Sequence, residues 1–143
     1  MSADGRREFL DTNILVYAHD TSAVEKHVRA KQLLADLWAS GNGCLSIQVL
    51  QEFYINITRK VKHPLDPDTA RQRVEDLGAW LIHSPTAEDV VEAIRLHQAS
   101  RISFWDAMVL SSAVQLDCGT LWSEDLNAGQ TVVGTLIKNP FLP

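Results

Sequence analysis

The stretch "EFLDTNILVYAHD", residues 8–20, holds a short apolar run that stops at Asp11, passes through two small polar residues, and turns apolar again from Ile14 to Ala18. A strand ending in a carboxylate and followed at once by a short helix would place Asp11 at a strand-to-helix junction. In open α/β folds that junction is where ligands bind.

The rest of the chain repeats the alternation. Strand-length apolar runs occur at Glu8 to Leu10, Cys44 to Ile47, Trp80 to Ile82, Thr120 to Trp122 and Thr131 to Ile137. Between them lie segments of helical periodicity, roughly residues 12–18, 24–39, 48–62, 67–79, 87–100 and 104–116. This order predicts a parallel sheet covered by helices on both faces. Punctuation agrees with it: "GNG" at 41–43 ends one helix, "DP" at 66–67 opens another with proline in its first turn, and "TAED" at 86–89 has the pattern of a capping box. The segment "FWDAMVLSSAVQL", residues 104–116, is apolar or small nearly all round, so that helix is expected at the centre of the molecule.

The 143 residues suit one domain, and 45% hydrophobic with 22% charged residues is an ordinary globular composition. No segment has the length and apolarity to span a bilayer, and the first residues lack the apolar core of a signal peptide, so a cytoplasmic location is expected. Cys44 and Cys118 stand too far apart in sequence for a zinc motif and read as small core residues. The five histidines are scattered singly. A net charge of −5 argues against a general nucleic-acid coat, although "TRKVKH" at 58–63 forms a local basic patch.

Four acids carry the chemistry: Asp11, Glu52 in "QVLQEFYIN", Asp106 in "SFWDAMV" and Asp125 in "LWSEDLN". Each falls near the carboxyl end of an expected strand or in the first turns of the next helix, and in a parallel sheet those ends share one edge. Acids gathered there repel one another unless protons or cations neutralise them. Mg²⁺ or Mn²⁺ suits an all-oxygen donor set. Each acid also has a purely structural reading. Asp11 serves as an N-cap, Asp106 closes a capping box opened by Ser103, Glu52 is solvated on the flank of its helix, and Asp125 is a turn residue.

The stretches "LDTNILVYA" (10–18), "QVLQEFY" (48–54), "SFWDAMVLSSA" (103–113), "LWSEDLNAGQ" (121–130) and "IKNPF" (137–141) resemble, in order and spacing, the PIN-domain ribonucleases, especially the VapC-type toxins of toxin–antitoxin systems. The resemblance covers nearly the whole chain as a single domain. It implies a three-layer α/β/α sandwich with a central parallel sheet of about five strands, and a metal-dependent endoribonuclease that is usually dimeric and held inactive by a cognate antitoxin. By position, Asp11, Glu52, Asp106 and Asp125 would form the catalytic cluster, with Asp11, Asp106 and Asp125 on the Mg²⁺ or Mn²⁺. Asn13 and Ser123 would orient a carboxylate or water. Many family members carry a further acid where this chain has Asn127.

Such a site would hydrolyse RNA by metal-activated water, with Glu52 orienting or deprotonating it, and leave a 5′-phosphate. Tyr54, Trp105 and residues 59–62 are candidates for RNA contacts, Trp105 being equally at home in the core. The amphipathic segment "VEKHVRAKQLLADLWA" (24–39) has an apolar face wide enough for pairing in a homodimer. Three other readings compete. A haloacid dehalogenase-type phosphatase wants a second Asp where Asn13 stands. A phospho-receiver domain needs a late lysine, for which only Lys138 is available. A catalytically silent binding module would have no use for four acids.

Overall fold

The computed structural model describes residues 6–143. Six strands form one sheet: β1 Glu8–Leu10, β2 Gly43–Ser46, β3 Leu81–His83, β4 Thr120–Trp122, β5 Thr131–Val132 and β6 Thr135–Lys138. Their order is β3-β2-β1-β4-β6-β5, and every pairing is parallel except β5 with β6. Central position explains why β1 is buried at all three residues and lacks the in-out alternation of a half-exposed strand.

The helices are α1 Thr12–Tyr17, α2 Glu25–Ser40, α3 Ile47–Arg59, α4 Pro67–Leu77, α5 Ala87–Ala99 and α6 Phe104–Gln115. Contacts link α1 with α2 and α3, and α3 with α4, while α5 pairs with α6; the sheet between these groups gives three layers. On α3, Val49, Leu50, Phe53 and Ile57 are buried, each contributing about 1.5–3 kcal/mol of apolar transfer. Helix α6 buries residues 107–110, 112 and 113, as its all-round apolar sequence requires.

Local signals act as expected. Asp66 caps α4 with Pro67 in its first turn. Thr86 and Asp89 close a full capping box on α5, and Gly41 ends α2 at φ 74°, where a side chain would be strained. Cys44 and Cys118 are buried free thiols. Helix α2 sinks Ala30, Leu33 and Leu37 but leaves Val28 and Trp38 exposed, so its wide apolar face is only partly absorbed.

The sheet has one strand more than expected. The run 131–137 breaks at Val133 and Gly134, both at positive φ, into the β5–β6 hairpin. An apolar run of seven residues gives no sign of such a turn except its single glycine, here at the second central position of a two-residue loop.

Candidate active site

Strand ends position the acids. The Asp11 amide donates to the Trp122 carbonyl at 3.0 Å, and the Ser123 amide to the Lys138 carbonyl at 2.9 Å. These last rungs of the ladder bring the residues after β1 and β4 side by side, where Ser123 Oγ donates to Asp11 Oδ2 at 2.9 Å. The same hydroxyl accepts from the amides of Asp125 and Leu126, each at 3.2 Å, which folds the segment after β4 back over the sheet edge.

Asp11 is both cap and cluster member. Its Oδ1 accepts from the Thr12 amide at 2.7 Å as α1 begins, leaving the other oxygen to Ser123. Asp106 sits in the first turn of α6, where Ser103 Oγ accepts from its amide at 3.1 Å. Among the described residues its carboxylate makes no return bond to close a capping box, so it is available to the cleft. Asp125 is held from the other side by Asn13 Nδ2, which donates to Oδ2 at 2.8 Å. One ligand oxygen from each of Asp11, Asp106 and Asp125 lies within 4.8 Å of the others.

Glu52 stands at the rim, outside this tight group. Its Oε1 accepts from Gln48 Nε2 at 2.8 Å and more weakly from Thr12 Oγ1 at 3.4 Å, so it is half-buried and anchored rather than solvated. With Asp11, Asp106 and Asp125 it lines a cleft of about 70 Å³ that is also bounded by Asn13, Gln48 and Trp105.

Electrostatics match the geometry. Burial pushes the Asp11 carboxyl up to about 6, against the hydrogen bonds from Ser123 and Thr12, with Asp106 and Asp125 adding to the rise. Asp125 is raised by burial and by the neighbouring charges of Asp106 and Glu124, while the Asn13 bond lowers it. Carboxyls raised by burial and mutual repulsion favour a cation in their midst. The donors are hard carboxylate oxygens on three separate segments, which fits Mg²⁺ or Mn²⁺ and does not fit a thiolate- or imidazole-seeking metal.

The family-model comparison decides the classification: the PIN domain model matches residues 9–131. The chain belongs to the PIN domain family. No curated protein sequence matches this PIN domain. Among solved structures it is similar to Mycobacterium tuberculosis VapC20, a sarcin–ricin loop cleaving toxin, with a TM-score of 0.62 and 20% identity over 82% of this chain and 89% of that one. It is also similar to a toxin–antitoxin complex from Klebsiella pneumoniae, with a TM-score of 0.67 and 17% identity over 94% and 98% of the two chains. At these identities the likeness concerns the fold.

Several neighbours of the acids escape a reading of the sequence alone. Gln48 precedes Glu52 by four residues, one helical turn on the same face, and that spacing could have identified it. Trp105, for which the sequence left an RNA contact and a core place equally open, is 62% exposed at the cleft, with its carbonyl accepting from Gln48 Nε2 at 3.3 Å. Glu124 binds the Tyr17 hydroxyl at 2.9 Å and pairs with Lys26, bracing the segment that carries Asp125. No signal in the sequence links residues so distant. Of the other candidates for RNA contact, Tyr54 lies in an apolar groove between α3 and α4, and residues 59–62 sit at the open end of α3.

Proposed function

We propose that this PIN domain is a Mg²⁺- or Mn²⁺-dependent endoribonuclease and the toxin of a type II toxin–antitoxin pair. The observation that carries this reading is the meeting of Asp11, Asp106 and Asp125, from three segments of the chain, within 4.8 Å at one sheet edge. Those three residues would hold the ion. When bound, it supplies Lewis acidity that makes water more acidic and offsets charge building on the phosphate.

The chain's own residues do the rest. Glu52, fixed by Gln48 and Thr12, takes the proton of the attacking water. The new bond joins water oxygen to phosphorus, the bond from phosphorus to the 3′-oxygen breaks, and that oxygen gains a proton from solvent. Products then carry a 5′-phosphate and a 3′-hydroxyl. Ser123 and Asn13 fix the Asp11 and Asp125 carboxylates, and no histidine lines the cleft among the described residues.

The antitoxin follows from the same charges. An arginine inserted among the three carboxylates would neutralise them bidentately and exclude both metal and RNA. The apolar α3–α4 groove, about 630 Å³, lies beside the cleft, with Ile47 and Gln51 in the groove next to Gln48 and Glu52 in the cleft. It offers the apolar part of the same antitoxin segment a seat. A homodimer, favoured by the exposed Val28 and Trp38 on α2, completes the proposal and is checked by light scattering.

The deciding experiment incubates purified protein with structured RNA in Mn²⁺, Mg²⁺ or EDTA. Cleavage is expected only with metal, to be lost in folded Asp106→Asn protein, and to give ends that ligate through a 5′-phosphate. Equal cleavage in EDTA, or 2′,3′-cyclic phosphate ends, would refute the mechanism.

A further inference from the structure

A second cavity, about 410 Å³, opens directly off the acid cluster and shares Asp106 and Asp125 with it. It lies between the start of α6 and the loop that joins β4 to β5. Its floor is apolar: Leu110, Leu126 and Ile137 are each more than nine-tenths buried. Its rim is polar, with exposed Arg101, Asn127 and Gln130. We propose that this cavity receives the base of the nucleotide next to the scissile phosphate. This deepens the ribonuclease reading above and rests on it.

Three observations converge on that occupant. The volume is that of a small-ligand site, and the lining sets buried leucine and isoleucine beside many polar groups, which suits a small flat ring whose edge takes several hydrogen bonds. The side-chain amides of Asn127 and Gln130 make no hydrogen bond to any described residue, so donors and acceptors stand free at the mouth. Their backbone is nonetheless fixed: the Gly129 amide donates to the Ile137 carbonyl at 2.8 Å, the Ile137 amide to the Gln130 carbonyl at 2.9 Å, and the Gln130 amide to the Asn127 carbonyl at 3.3 Å. The reading groups therefore sit on a loop stapled to β6.

The shared acids set where the strand passes. Asp106 and Asp125 form the wall between cluster and cavity, so a phosphate placed at the metal has its neighbouring nucleoside at the cavity mouth. Arg101, which forms no ion pair with a described acid, stands at the rim to meet a flanking phosphate. Asn127 adds an uncharged edge there, where a carboxylate would repel the strand. A base held in a duplex cannot reach such a recess, whereas one splayed from a loop can be gripped on its edge.

The test uses a short unstructured RNA with a randomised centre, cut by wild-type protein in Mn²⁺ to find the preferred bond. Oligonucleotides of that sequence then carry one abasic nucleotide on either side of the bond. With wild type, the abasic residue on one side is expected to lower kcat/KM by about tenfold, the range of one well-seated base. Asn127→Ala with Gln130→Ala, both exposed and bonded only through backbone, should cut intact RNA about three- to tenfold more slowly. That variant should also discriminate less between intact and abasic RNA. Wild-type protein cutting intact and abasic RNA at equal rates, or a double variant with undiminished rate and discrimination, overturns the base pocket and leaves the ribonuclease reading standing. Failure of wild type to cut any RNA with either metal overturns both.

Discussion

The Ser123 hydroxyl donates to Asp11 Oδ2 at 2.9 Å across the ends of two neighbouring parallel strands. Both side chains are buried, and the same oxygen accepts two amides of the following turn. One atom thus orients a cluster carboxylate and shapes the segment that delivers another.

Ser123→Ala should therefore reduce stability and metal affinity together. Leaving one buried amide, one half-buried amide and one carboxylate oxygen without their partner should cost about 1–3 kcal/mol, read by urea denaturation in EDTA. Mn²⁺ affinity should fall by about 10- to 100-fold, as for outer partners of metal ligands, read by calorimetry. An unchanged affinity would show that Asp11 needs no orienting partner.

In chelator, stability should fall as pH rises from about 4 to about 6. The folded-state Asp11 carboxyl is raised to about 6 from 3.8, so the native state binds a proton more tightly than the unfolded chain. Its contribution is full below the unfolded value and lost as pH climbs through the folded one, a swing of about 3 kcal/mol. Thermal melts of wild type and Asp11→Asn across that range check this, because the variant lacks that component of the slope. Adding Mg²⁺ should stabilise wild type more at pH 7.5 than at pH 5.

Asn13→Ala should shift the metal-binding pH profile upward. The Asn13 amide lowers the Asp125 carboxyl, so its removal lets that group hold its proton to higher pH and compete longer with the ion. Mn²⁺ titrations at several pH values should show weaker binding at acidic pH, with the loss shrinking as pH rises and the carboxyl ionises. A loss independent of pH would contradict the assignment.

Gln48→Met is expected to separate chemistry from metal binding. Gln48 holds Glu52 and the Trp105 carbonyl, yet its own Oε1 is buried without a partner. Methionine keeps the volume and removes that orphan, so stability should change by less than about 1.5 kcal/mol. Glu52 loses its shorter bond, and kcat should drop by about tenfold with Mn²⁺ affinity unchanged. A weakened metal site and intact kcat would place Glu52 among the ligands instead.

Much of this molecule could be read from its residues. Element order follows from apolar runs and punctuation, since a parallel sheet buries its strands on both faces and leaves them uniformly apolar. Asp11 and Asp125 stood out because each follows an expected strand, and Asp106 because it is the one charge near the head of an apolar helix; the fold gathers all three. Glu52 also follows an expected strand but projects from the second turn of α3, which sets it back at the rim. The hairpin at Val133–Gly134 was hidden because local strand propensity hardly changes across it. Trp105 faces outward although its helix is apolar nearly all round, since its first turn overhangs the cleft. Both depend on where distant segments come to rest, a property of the assembled structure.

Strand order also governs when the cluster can exist during synthesis. Asp11 leaves the ribosome early, Asp106 much later and Asp125 later still, and the strand preceding Asp125 must insert between β1 and β6. A nascent chain stalled before residue 120 carries Asp11, Glu52 and Asp106 but has no neighbour on that side of β1 and no Ser123 to fix Asp11. Truncated translation products ending before residue 120 would therefore lack the assembled carboxylate cluster.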